Sequence, residues 1–159
     1  MRNERGRLCD KLGRELPEGP WHAESDHEAF EYAGLAVRLH RNANTLGWCG
    51  YVGLPPWHPW VVVIDGSGSI DWQKIDAEVH GGLTYGQDRL PFEDPNAPGF
   101  LHWLGFDCGH AGDLAPAFLN IYSTGLRDYG GDTYRTVEYV RAEATRLAEQ
   151  ARAAMPERI

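Results

Sequence analysis

The sequence predicts an α+β fold: a mainly antiparallel sheet with a C-terminal helix packed on one face, loop-rich throughout. Three observations carry this. Apolar and polar residues alternate over short runs between about Phe30 and Cys108, the period of half-buried strands. Val137, Val140, Ala144, Leu147, Ala148 and Ala151 recur at helical spacing near the C-terminus. The 19 glycines and 10 prolines among 159 residues then leave much of the chain to turns and loops. No repeat or composition break divides it. One domain over 1–159 is expected, with an N-terminal helical segment at 1–20, the sheet at 28–110 and the helix at 133–153.

Taken in order, Leu8, Leu12 and Leu16 sit at helical spacing before Pro17 and predict a short amphipathic helix over 4–16. Phe30 and Tyr32, then Leu35, Val37 and Leu39, alternate around Ala33-Gly34 and predict a hairpin. After a turn at 41–44, residues 46–54 read as a strand with glycines at 47, 50 and 53, the mark of a bulge or a close approach. A rigid aromatic loop, 55–60, holds His58. From Ile75 the alternation resumes, placing Glu78, His80 and Thr84 on the polar side. Residues 86–99 form a proline-rich loop and candidate lid, Phe100 to Cys108 the most apolar strand, and Pro116–Asn120 one helical turn. Asp132 or Thr133 is positioned to cap the final helix.

The net charge is −8 and no Lys/Arg run exceeds two residues, so the basic footprint of a nucleic-acid binder is absent. No apolar stretch approaches the length of a membrane span, and the N-terminus lacks a signal peptide's apolar segment; a cytoplasmic protein is expected. Three cysteines without a CxxC pair argue against a disulfide framework or a cysteine-rich zinc site. Cys9 and Cys49 read as buried thiols. Cys108 is a candidate nucleophile if His110 and His80 lower its pKa, but alternation puts it with Leu104 and Phe106 on the apolar face.

Two glycine-rich turns carry the chemistry: Val79–Tyr85 and Gly105–Asp113. His80, Asp107, His110 and Asp113 make a donor set suited to divalent Zn, Mn or Fe. Without a metal the same groups suit general acid–base work, with aspartate orienting histidine. The structural alternatives are that Asp113 caps its turn, His110 bonds to backbone and Asp107 ends its strand. Gly81 and Gly82 bring bare backbone to the site, and Thr84 faces it. Trp48, Tyr51, Trp57, Trp60, Tyr85 and Trp103 are candidates to stack a planar ligand, and His58 follows the glycine-rich strand. Arg135, at the start of the last helix, is placed to pair with an anion. A core role for the aromatics and a solvated helix face for Arg135 account for the same pattern.

The blocks Trp48-Cys49-Gly50-Tyr51-Val52-Gly53, His58-Pro59, Val79-His80-Gly81-Gly82-Leu83-Thr84-Tyr85, Gly105–Asp113 and Tyr134-Arg135 with Glu138-Tyr139-Val140 come in a distinctive order. Over about residues 46–150 the chain resembles a family of small uncharacterised proteins of bacteriophages and bacteria, especially actinobacteria. Phage carriage implies host takeover, nucleotide handling or neutralisation of a host defence signal, in the host cytoplasm. The leading expectation is a hydrolase acting on a small phosphorylated or nucleotide-like molecule, with His80 and His110 in acid–base or metal roles and Asp107 and Asp113 coordinating or orienting. The alternatives are a non-catalytic binder that sequesters a small nucleotide signal, and a module that binds another protein.

Overall fold

Alternation along residues 27–54 becomes three consecutive antiparallel strands in a computed structural model, which describes residues 1–96, 99–122 and 131–157. β1 (His27–Tyr32) turns through Ala33-Gly34 into β2 (Leu35–Arg41), and β3 (Trp48–Leu54) follows a turn at 42–47. Ala33 and Gly34 both have positive φ, 53° and 77°, as a type I′ hairpin requires. A three-residue β4 (Tyr85–Gln87) and β5 (His102–Asp107) complete a sheet ordered β1-β2-β3-β5-β4, every pairing antiparallel. The helix α2 (Val137–Ala153) lies against it, which gives the α+β architecture that the periodicities predict.

Period two gives the sheet two unlike faces. Leu35, Val37, Leu39, Val52, Leu104 and Phe106 point to the helix, which meets them with the six-residue stripe read from the sequence. On the other face, one row across the strands runs His27–His40–Cys49–Asp107, and the next runs Ala29–Arg38–Tyr51–Gly105–Tyr85. Leu90, Phe92 and Leu101, from the loop between β4 and β5, pack over part of this open face with Tyr51 and Trp103. The glycines inside the strands mark close approaches: a Cβ on Gly50 would stand 2.5 Å from the Phe106 ring, and one on Gly105 2.5 Å from the Tyr51 ring.

Several sequence expectations change. Residues 4–16 form two tight turns with bridges at Arg2–Leu8 and Cys9–Glu15, not a helix. Asn3 Oδ1 accepts from the Arg5 and Arg7 amides, and Asp10 Oδ1 from those of Leu12 and Arg14; such side-chain turns outcompete helical bonding. Leu8 and Leu16 are buried there, but Leu12 is 76% exposed. Residues 75–84 keep the expected burial, with Val79 and Leu83 inside and Glu78 and Thr84 outside, yet join no strand. At Glu78 the backbone meets a side chain of α2: the Glu78 amide donates to Gln150 Oε1, and Gln150 Nε2 donates to the Glu78 carbonyl, both at 2.7 Å, while the Thr84 amide alone reaches β5, at the Gly105 carbonyl, 2.9 Å away. The last strand is shorter than 100–108, and the final helix starts at Val137 rather than about 133. Its cap is Thr136, which accepts from the Tyr139 amide, and Thr133 forms a bridge with Asp113. Of the expected lid, 85–87 is strand, Leu90 and Phe92 dock on the sheet, and residues 97 and 98 lie outside the described residues. The helical turn at Pro116–Asn120 is present, as a 3-10 turn running into α1 (Leu119–Tyr122). Glycine 130, expected just before the final helix, is also outside the described residues.

Candidate functional site

Two glycine turns clasp each other where the sheet meets the start of α2. In the first, the Gly82 amide donates to the Val79 carbonyl at 2.9 Å, and Gly81 takes φ 68° at the third position. In the second, the Asp113 amide donates to the His110 carbonyl at 2.9 Å, with Gly112 at φ 89°. A positive φ at that place in a turn is what demands glycine. Gly81 is doubly constrained, because a Cβ there would lie 2.1 Å from the His110 ring.

The turns pair the expected residues, but in two groups. His80 Nε2–H donates to Asp113 at 2.8 Å, and in the neutral ring Nδ1 accepts from the Tyr139 hydroxyl, also at 2.8 Å. Asp113, with its side chain 1% exposed, also accepts from Arg135 Nε at 2.8 Å and from the His110 amide at 3.0 Å. Burial alone would raise its pKa; the bonds from His80, Arg135 and the His110 amide outweigh that and hold the carboxyl below its usual value. The Arg135 guanidinium lies 5.1 Å from the centre of the Tyr139 ring. This network ties residues 79–83 and 109–113 to the helix.

Asp107 belongs elsewhere. Alternation turns it to the open face, where Oδ1 accepts from the Gly109 amide and Oδ2 from the Thr84 hydroxyl, each at 2.9 Å. His110 stands between the two groups, its Nε2 buried without a hydrogen-bond partner and 3.5 Å from Asp107 Oδ1. The His80 and His110 rings are 6.0 Å apart. The four side chains therefore do not converge on one point, and among the described residues no three His, Cys, Asp or Glu form a metal-ligating group. In this geometry Asp113 gives its oxygens to His80, Arg135 and an amide.

Asp107 edges a cleft of about 280 Å³ lined by Asn42, Thr45, Trp48, Cys49, Tyr51, Thr84, Tyr85, Pro91, Phe106, Asp107, Cys108 and Gly109. Tyr51 and Tyr85 meet edge to face at 5.4 Å in its wall. Of the ligand contacts expected from the sequence, Thr84, Tyr51, Tyr85 and Trp48 line it, whereas Gly81, Gly82, His58 and Arg135 do not. Trp48 offers no stacking surface, being fully buried with Arg41 4.7 Å from its ring centre. His58 is a core residue: Nε2 donates to the Ala151 carbonyl at 2.8 Å and Nδ1 accepts from the Trp60 amide at 3.0 Å. At the start of α2 the carboxylate of Glu24 accepts from the Val137 amide at 2.6 Å. Burial pushes the Cys49 thiol up to about 11 and the Cys108 thiol higher still, which leaves neither ready to act as a nucleophile near neutral pH.

Asn42 and Thr45 line the cleft without any sequence signal, because a turn brings them there. His27 and His40 were also missed, although the hairpin turn at Ala33-Gly34 fixes their pairing once the strands are counted back from it. Compared with known proteins, the chain matches no family model, no curated protein and no solved structure, so no function is carried over from a relative. No helix among the described residues is long and apolar enough to cross a membrane.

Proposed function

We propose that the chain binds a small planar ligand of nucleobase type in the open-face cleft. The observation that supports this is the composition of the cleft: tyrosine walls beside a carboxylate whose two oxygens each accept a single hydrogen bond from the protein. An ionised carboxylate has about four acceptor positions. A ring edge with two neighbouring N–H donors fills the remaining two while the ring face lies on tyrosine. None of the lining residues is Lys or Arg, so the cleft favours the ring and supplies no side-chain counter-charge for a phosphoryl group. Its volume suits one ring system, at the small end of ligand sites.

Sequestration is thus better supported than hydrolysis. The hydrolase reading keeps one specific observation, the Tyr139–His80–Asp113 chain, in which a proton can be held and passed on. The two are separated by incubating the protein with nucleosides and their 5′-phosphates, measuring binding calorimetrically, then releasing the ligand by heat for chromatography. The expected result is a nucleoside bound at least as tightly as its phosphate, recovered unchanged, with binding retained in His80→Gln. A cleaved product that disappears in His80→Gln would instead establish the hydrolase. Failure of every nucleoside and nucleotide to bind would remove both readings.

A further inference from the structure

We propose that His27 and His40 form a two-imidazole site for a divalent transition metal, Zn²⁺ or Cu²⁺, on the open face at the β1–β2 edge. The hairpin register makes them direct cross-strand partners. The Arg41 amide donates to the Asp26 carbonyl at 2.9 Å, so 26 and 41 are a hydrogen-bonded pair. The next pair, 27 and 40, is then of the non-hydrogen-bonded kind, whose side chains stand closest across antiparallel strands.

Their Nδ1 atoms are 3.3 Å apart. Two nitrogens bound to one tetrahedral zinc at about 2.0–2.1 Å are separated by about 3.3–3.4 Å. The spacing therefore matches that of two nitrogens sharing a single ion. Phe92 fixes the rings, stacking on His40 at 4.0 Å and 18° and meeting the edge of His27 at 5.4 Å. Imidazole donors select zinc or copper over magnesium or calcium.

Asp26 and Glu28, which flank His27 in the sequence, are not third ligands: the oxygens of Asp26 accept from Arg2 and Arg41 at 2.8 Å, and Glu28 pairs with Arg141 at 2.6 Å. Cys49, next in the same row, is packed with Tyr51 and Leu90. Water completes the shell, leaving an exchangeable position as in catalytic rather than structural metal sites. The site is separate from the His80–Asp113 network and does not depend on what the cleft binds.

The test is titration of the dialysed full chain with copper sulfate alone, followed by calorimetry and electron paramagnetic resonance, for the wild type, His27→Gln and His40→Gln. The expected result is one ion per chain with hyperfine structure from two nitrogens. Either substitution should weaken binding at least tenfold and leave one nitrogen. Circular-dichroism melts without metal check the fold. If His40→Gln, which loses its packing on Phe92, does not fold, the exposed His27 variant decides alone. No binding by the wild type, or unchanged affinity and nitrogen count in the folded variants, would overturn the site and leave the 3.3 Å contact as an N–H···N hydrogen bond.

Discussion

Asp113 is almost sealed from solvent yet held ionised, because His80, Arg135 and the His110 amide all donate to it. Asp113→Asn keeps the shape and loses the charge-assisted bonds, and should cost about 1–3 kcal/mol in urea unfolding at pH 7. The sign of the pH dependence follows from its lowered pKa. The stabilisation is complete above the unfolded-state value of about 3.9 and disappears as pH falls through the lower folded value. The wild-type advantage should therefore shrink as the pH falls below about 4; a gap that stayed constant would contradict the assignment. At this scale the sequence singles out His80, Asp107, His110 and Asp113 but not how they pair. Gly112 turns the chain after β5, so Asp113 meets His80 and Arg135, just ahead of the helix, while Asp107, on the strand, faces the cleft. Spacing in the sequence does not report which way a turn sends its ends.

The elements were legible wherever one force decided them. The stripe from Val137 to Ala151 and the Ala33-Gly34 hairpin both follow from burial pattern and turn chemistry alone. Ala33 holds a left-handed φ of 53° that its side chain disfavours. Ala33→Asn should raise stability by about 0.5–1 kcal/mol in thermal melts, with the register unchanged. The misread elements are those where burial and hydrogen bonding part company. Residues 75–84 alternate because α2 buries one side of them, and their backbone bonds to Gln150 at Glu78 and to β5 only at Thr84, so no ladder forms. Residues 4–16 have leucines at helical spacing, but Asn3 and Asp10 bind the backbone first. The sheet also has a tight crossing, at Gly105, where a Cβ would press on Tyr51 and stand 3.0 Å from the Gly50 carbonyl. Gly105→Ala should cost about 1–3 kcal/mol and shift Tyr51, seen as a change in its aromatic NMR signals.

Across the whole molecule, the two faces of the sheet divide the labour. The helix face holds the main core, and the Glu24–Arg41 pair beneath the start of α2 is buried with it, with side chains 6% and 3% exposed. The open face keeps its polar row, and the docked loop that carries Leu90, Pro91 and Phe92 forms one wall of the cleft. In the proposed reading, an acidic chain of net charge −8 would recognise a ring there through a single carboxylate and its tyrosine neighbours, without a basic surface. The most direct check is calorimetric titration of a guanine-type nucleoside, whose ring edge carries two adjacent N–H donors, into the wild type and Asp107→Asn. The cleft predicts saturable 1:1 binding that weakens at least tenfold in Asp107→Asn, with the melting temperature of the free protein little changed. Equal affinity in the two proteins would contradict it, because the ligand would then lie where Asp107 does not reach.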